Sequence, residues 1–445
     1  MKKFLYIAAI MATVATATTS CTNEVDDLFD KSAAERTQEA VDEYSSVLTA
    51  NGGKWVLEYF TNPDEPGYIY IFTFDSNGSV KISGKNKWIG NAFKSETSAW
   101  EVISDNGPVL TLNTYNTIFH LFANPDNVVD PDASSDETDE TGYGHYGDYE
   151  FMLMEANDGV VRLKGKKWGV THYLRHLDPE TDDEAYLAQV DDMKAKLFNA
   201  KFNTLYLTDS QGERYVLTDG YKGQFTGYPE AGDAVTQVSK ANFIVTATGI
   251  RFMTDFELQR AQVGADPLIL KEFVYQESDG SLVEVSENPS KIVGPSFAEL
   301  FISPSYTWRI DNTALTGQPA TLYDDVVSEV KKALGETFRF FQFTYDKTAA
   351  SASLFFQSVY RTKTYKGNIY FKAETTGDNV VKFTFDGTYD DGAKYYYNNI
   401  ESIKSFVKLL QSTTWKIESP TRLVPSQLTL VSSTSSEDVI VVNVQ

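Results

Sequence analysis

Four histidines are the whole imidazole supply of this chain: His120, His145, His172 and His176. Two of them, in the stretch THYLRH, stand four residues apart. That spacing puts two ring nitrogens on one face of a helix, where a metal ion takes them, and on one face of a strand as well. No third ligand stands nearby in sequence and no His-Glu-x-x-His segment occurs, so no metal centre is expected and His172 and His176 are read as ordinary surface residues. A nucleophile is no easier to find, because neither a Gly-x-Ser-x-Gly elbow nor a phosphate-binding glycine loop is present. Carboxylates are plentiful, with 62 Asp and Glu against 39 Lys and Arg, yet nothing selects a pair of them for acid–base work. Asp130, Asp132, Asp136, Glu137, Asp139 and Glu140 crowd one loop within 124–150. They lack the glycine at the sixth position and the closing glutamate at the twelfth that a calcium loop needs, so the segment is expected to be a solvated connection between strands. No catalytic residue, metal or cofactor is expected.

Binding is better provided for. Trp88 in GKNKWIG and Trp168 in GKKWG sit beside lysines and glycines at expected strand ends, where an indole can stack on a sugar face. Tyr395, Tyr396 and Tyr397 in AKYYYNN are candidate ligand contacts of the same kind. Most other aromatics belong to the core, as a 13% aromatic share in a β protein requires.

The one cysteine, Cys21, concerns location. Lys2 and Lys3 are followed by an apolar run from Phe4 to about Ala17 and then by small residues up to Cys21. This is the form of a secretory signal, shorter than the roughly 20 apolar residues that span a bilayer. A cysteine at that point resembles the bacterial lipobox, whose thiol becomes lipid-bonded, although Thr18 stands where that pattern usually has leucine. Lipidation takes the thiol out of catalysis. Glu24, Asp26 and Asp27 resemble the export tags that carry lipoproteins of the Bacteroidetes to the outer face of the outer membrane. The expected location is therefore the outer membrane, lipid-anchored and facing the cell exterior. A formal charge of −23 leaves no electrostatic footprint for nucleic acid.

The elements that must position any site read as mainly β. Asn77-Gly78, Asp105-Asn106-Gly107 and Asn157-Asp158-Gly159 each separate two apolar or alternating runs, which is hairpin grammar. The stretches 98–115 and 240–256 echo one another, as do 149–165 and 271–287, each a pair of short strands around a glycine turn. The fold class expected is two related antiparallel barrel-like (lipocalin-like) or curved-sheet modules, with a connecting helix and a few short helices. The organisation is a lipoprotein signal peptide at 1–20, an acidic tether and short helix at 21–45, and a first β module at 46–177. A helical connector follows at 178–200, with Asp178 and Pro179 opening its helix. A second β module with a C-terminal extension occupies 201–445, with a sub-boundary near 300.

GGKWVLEYF (52–60), GPVLTLNTYNTIFHLFANP (107–125), GDYEFMLM and VVRLKGKKWG (160–169), together with the lipobox, resemble the Bacteroidetes surface-lipoprotein family called domain of unknown function 4302, over roughly the first 300 residues. Gly53-Lys54-Trp55 is also similar to the Gly-x-Trp opening of lipocalins. Genes of the first family tend to lie beside outer-membrane nutrient-uptake receptors, so the resemblance implies a part in capture at the cell surface. The expected role is a non-catalytic binding or accessory component of an uptake system. Its partners would be a glycan or peptide ligand and an outer-membrane receptor complex. Two alternatives stand beside it, a structural cell-surface assembly component and a hydrolase with an unrecognised carboxylate site.

Overall fold

The computed structural model describes residues 31–61, 65–125, 144–346 and 351–445. Cys21, Glu24, Asp26, Asp27 and the six acidic residues of 130–140 lie outside them.

The chain is mainly β, and its strands close into three antiparallel eight-stranded barrels in which each strand pairs with its sequence neighbour. The first barrel runs from β1 (Lys54–Tyr59) and β2 (Tyr68–Phe74) to β8 (Thr171–His176) and is sealed by β1 against β8, Leu57 opposite Leu174. The second runs from β9 (Leu205–Thr208) to β16 (Lys291–Val293), sealed with Leu207 opposite Ile292. The third runs from β17 (Trp308–Ile310) to β24 (Val439–Val444), sealed with Trp308 opposite Val444. The expected barrel-like, antiparallel character is what forms. The count differs: the segment after 300, expected as an extension of the second module, closes a barrel of its own. Two helical insertions, at Gly317–Leu334 and Asp391–Ser412, break the strand spacing there and hide the repeat.

The internal echo has a structural basis. The hairpin in 98–115 is made by the fourth and fifth strands of the first barrel, and that in 240–256 by the fourth and fifth of the second. The second echoed pair occupies the sixth and seventh strands in both.

Each barrel is also preceded by a helix that ends in a buried leucine. The helices are α1 (Ala33–Thr49), α2 (Asp183–Leu197) and α3 (Phe297–Phe301), and the leucines are Leu48, Leu197 and Leu300. In the first and third barrels a tryptophan on the opening strand donates its indole N–H back to that leucine's carbonyl, Trp55 to Leu48 at 2.8 Å and Trp308 to Leu300 at 3.3 Å. The bond satisfies one of the carbonyls that every helix end leaves without an intrahelical partner. In the second barrel the opening strand begins with Leu205, which packs into the core without such a bond.

The helix of 178–200 forms over Asp183–Leu197, capped by Asp182, whose side chain accepts from the Ala185 amide at 2.8 Å. Asp178, the expected opening residue, instead accepts from the Glu180 amide in the turn before it. The short helix expected by 45 continues to Thr49.

Aromatic side chains fill the barrels. Tyr59, Tyr70, Phe72, Phe119, Phe122 and Phe151 pack the first, Phe225, Phe243, Phe252 and Phe273 the second, and Phe341, Phe356, Phe406 and Trp415 the third. His172, read as a surface residue, is buried among the first group, stacked on Tyr59 at 5.0 Å and accepting from the Phe60 amide at 3.2 Å. Strand alternation points it inward from β8, and burial pulls its pKa down to about 3.

Candidate functional site

β1 is buried along its whole length, on both faces, which is unusual for a barrel strand with one face inside. Its outer face meets α2 and the second barrel: Val56, Phe60, Ile69 and Ile71 pack on Leu187 and Ile244. This junction positions the site.

Three features fix it. The loop before β2 is stitched to the second barrel, with Asn242 Nδ2 donating to the Glu65 carbonyl at 2.7 Å and the Gly67 amide to Phe243 O at 3.3 Å. Gly223 closes the approach: its φ is +79°, and a Cβ there would stand 2.2 Å from the Pro66 Cβ. Second, Glu58, buried on β1, accepts from Arg175 Nε at 2.9 Å and from Arg251 Nη1, while Arg251 Nη2 reaches Glu272 at 2.6 Å. One first-barrel carboxylate is thus clasped by a guanidinium from each barrel. Third, Asp183 at the start of α2 is paired with Lys54 at 2.9 Å and Lys81 at 2.7 Å. Burial raises the pKa of this carboxyl, but the bonds from Lys81, Lys54 and Ser83 outweigh it and the net shift is downward. The far end of α2 drops Met193 and Leu197 into the second core.

Between these supports lies a cleft of about 530 Å³. Its walls are Pro66 to Ile69 and Lys85 to Lys87 with Asn91 from the first barrel, the face of α2 carrying Leu187, Val190, Asp191 and Lys194, and Gly220 to Gly223 with Phe243 and Val245 from the second. The volume suits a small ligand or a few linked units of a larger one. Apolar side chains line its depth, and lysines arrive from all three walls.

The residues marked from sequence fall in several places. Trp88 lies in the single 3-10 turn Lys87–Ile89, between cleft residues, but its ring packs on His145 at 4.2 Å and Phe122 at 5.9 Å. Its N–H donates to the Tyr68 hydroxyl at 2.7 Å, which donates in turn to Glu65 at 3.3 Å, and His145 Nε2 donates to the same carboxylate at 2.7 Å. Trp88 thus buttresses the cleft wall at Tyr68. Trp168 sits edge-on to Tyr146 at 4.9 Å, with Lys167 over its ring, in a turn held by Asp148, which accepts from the Lys167 and Trp168 amides. Both tryptophans therefore flank the segment 145–146 without sharing the cleft. Tyr395 to Tyr397 lie on the helix Asp391–Asn399 of the third barrel, whose turn sends them to different sides. Tyr395 is exposed, Tyr396 is buried against Ser358 and Glu336, and Tyr397 packs on Phe385 and Tyr389. Sequence reasoning missed the cleft lysines. Each is an ordinary surface residue in its own segment; Lys85, Lys87 and Lys222 stand near glycine turns, and Lys194 only completes the last turn of a helix.

Among the described residues no group of three or more His, Cys, Asp or Glu is placed to hold a metal ion. No described helix is long and apolar enough to cross a membrane.

The family described as "Domain of unknown function (DUF4302)" matches residues 25–265, which takes in every residue of the cleft. No curated protein matches. Among solved structures, the beta subunit from the DNA polymerase of Streptococcus pyogenes is similar at 10% identity and a TM-score of 0.14, over 91% of this chain and 97% of that one. That superposition is too loose to carry a conclusion.

Proposed function

Starting from the premise that the chain belongs to the family described as "Domain of unknown function (DUF4302)", we propose that it is a surface-exposed, outer-membrane lipoprotein that captures ligand for a nutrient-uptake system. The observation that carries this reading is the cleft between the first two barrels. It is a mixed apolar and cationic cavity of ligand size, held by a buried ion-pair clasp and a stitched loop. Such rigidity lowers the ordering cost of binding. Cys21 supplies the anchor and Glu24, Asp26 and Asp27 the outward address. The protein works without catalysis in this reading, handing its ligand to a receptor in the same membrane.

The test is recovery of the intact protein from its native outer membrane, beside a Cys21→Ala variant that cannot be acylated. Cys21-dependent co-recovery of a transporter complex is expected. Intact protein that stays at the surface and recovers no partner would overturn the uptake role and favour a self-contained structural component.

A further inference from the structure

We propose that the cleft between the first and second barrels binds an anionic oligosaccharide, a short run of sugars bearing carboxylate or sulfate groups. This rests on the capture reading and names its ligand class.

Charge comes first. Over the whole chain acidic residues outnumber basic ones, 62 to 39. Around the cleft the balance reverses, with Lys85, Lys87, Lys194 and Lys222 against Asp191. Lys85 is tethered to Asp191 at 2.6 Å and Lys222 to Asp219 at 2.9 Å, and Lys87 rests over the Trp88 ring at 5.0 Å. Asp219 behind the rim and Asp192 and Glu184 near Lys85 offset part of this charge, so the cationic excess belongs to the lining itself, in a protein whose general field repels anions. An anion finds its favourable contact here, and neutral or cationic ligands gain nothing from the reversal.

The kind of cation narrows the chemistry. All four are lysines and none is an arginine. Guanidinium forks suit one planar carboxylate or phosphate held bidentately; ammonium point charges on flexible stems suit several anionic groups spaced along a ligand. The half-buried apolar lining, Pro66, Val190, Phe198 and Val245, and the exposed Tyr221 offer apolar surface to the C–H faces of sugar rings.

Sheet topology then separates a glycan from an acidic peptide. One recurring way for an extended peptide to bind, with its backbone groups paired, is to add a strand to an open sheet edge. All three sheets here are closed, and the strands beside the cleft are paired on both sides, β2 with β1 and β3 (Ser79–Gly84), and β12 (Ser239–Val245) with its neighbours β11 (Gln224–Pro229) and β13 (Gly249–Leu258). The peptide's backbone groups would find no ladder, whereas sugar hydroxyls need none.

The experiment titrates the full lipidated chain in detergent with four probes: an oligogalacturonate, its methyl ester, a sulfated heparin-derived oligosaccharide and a glutamate octapeptide. The wild type is compared with Lys194→Glu/Lys222→Glu, two exposed positions whose folding is checked by the melting curve. At least one anionic saccharide is expected to bind, at least 10-fold more tightly than the ester, and to lose at least 10-fold in the variant and at 0.5 M salt. If the octapeptide binds as well as the saccharides, the glycan assignment is overturned. If the ester binds as well as its acid, or the variant binds as the wild type does, or neither anionic saccharide binds, the anionic-glycan site is overturned. In each of these failures capture itself still stands or falls on the Cys21-dependent recovery above.

Discussion

The two junctions of this three-barrel chain are built on different principles. Between the first and second barrels, flat outer sheet faces meet across α2, ion pairs fix the angle, and a cleft remains. Between the second and third, the barrels exchange core residues. Leu423, from the loop after β22 (Thr414–Glu418), is buried in the core of the second barrel, and Phe202, from just before the second barrel, is buried in the core of the third. Phe202 stacks on Tyr306 at 5.2 Å, the Tyr306 hydroxyl donates to Lys201 O at 2.9 Å, and Arg422 lies over Phe297 at 4.8 Å while donating to Pro295 O. Reciprocal insertion ties two bodies into one, whereas a polar clasp around a cavity holds two bodies apart at a set angle. The lesson is that ligand binding is to be sought where the interface is polar and incomplete. The family match covers the cleft and ends within the second barrel, at 265.

The largest effect should come from breaking the interlock. Leu423→Ala removes a fully buried side chain from the neighbouring barrel's core, at a cost of about 3 kcal/mol. In urea unfolding, the second and third barrels of the wild type should melt together and those of the variant separately; a single unshifted transition would refute the interlock. Next is the clasp. Glu58→Gln leaves Arg175 and Arg251 without their shared carboxylate and should cost about 2 kcal/mol, read as earlier exchange of first-barrel amides and weaker cleft binding, with the third barrel unchanged.

Acid offers a third contrast, since all four histidines fall between 120 and 176, in the first barrel. Burial holds the His172 pKa at about 3, below its ordinary value of about 6.5. The unfolded chain therefore binds the extra proton between those values. The contribution of His172 to stability is complete above about pH 6.5 and falls by up to about 1.4 kcal/mol for each pH unit below it. His120, also shifted down by burial, acts in the same sense. Asp148, which burial shifts up against the pull of the Lys167 and Trp168 amides, opposes them only near the acid end. Hydrogen exchange at pH 6.5 and 5.5 should show loss in the first barrel and little in the third, and His172→Gln should flatten that slope. Smallest is the indole contact: Trp308→Phe and Trp55→Phe keep one ring but lose a hydrogen bond and some buried volume, costing about 1–2 kcal/mol each by chemical denaturation. Equal stability of variant and wild type would make the repeated contact incidental.

Much of the barrel grammar was legible because hairpin turns carry it in two or three residues. Gly78, Asn106, Gly107, Asp158 and Gly159 all adopt the positive φ that their types favour, and their flanking runs are strands. The third barrel was not, because its opening strand β17 and the closing strand β16 of the barrel before it are three residues long, and helices interrupt the rest. The tyrosine triplet could not reveal that a helix would divide it. The cleft was illegible for a different reason. Its lysines come from near residues 85, 194 and 222, and only the packing of three walls makes neighbours of them. Trp88 was marked for its chemistry and lies beside the site, but its hydrogen bond to Tyr68 turns it into masonry.

The strand order has a kinetic consequence. Within each barrel every pairing but one joins strands adjacent in sequence, and the exception is the seam between first and last. Most of these pairings close short loops and form quickly, while those across 113–149, 311–336 and 385–413 and the three seams wait on longer ones. A chain emerging N-terminus first can therefore lay down its strands in order and lock each barrel when the eighth arrives. The second barrel is the exception in timing: its core is completed by Leu423, which arrives well over 100 residues after the seam strand β16 (Lys291–Val293). Until then it is a sealed barrel whose core still lacks one fully buried side chain, and its last packing step waits on the folding of the third.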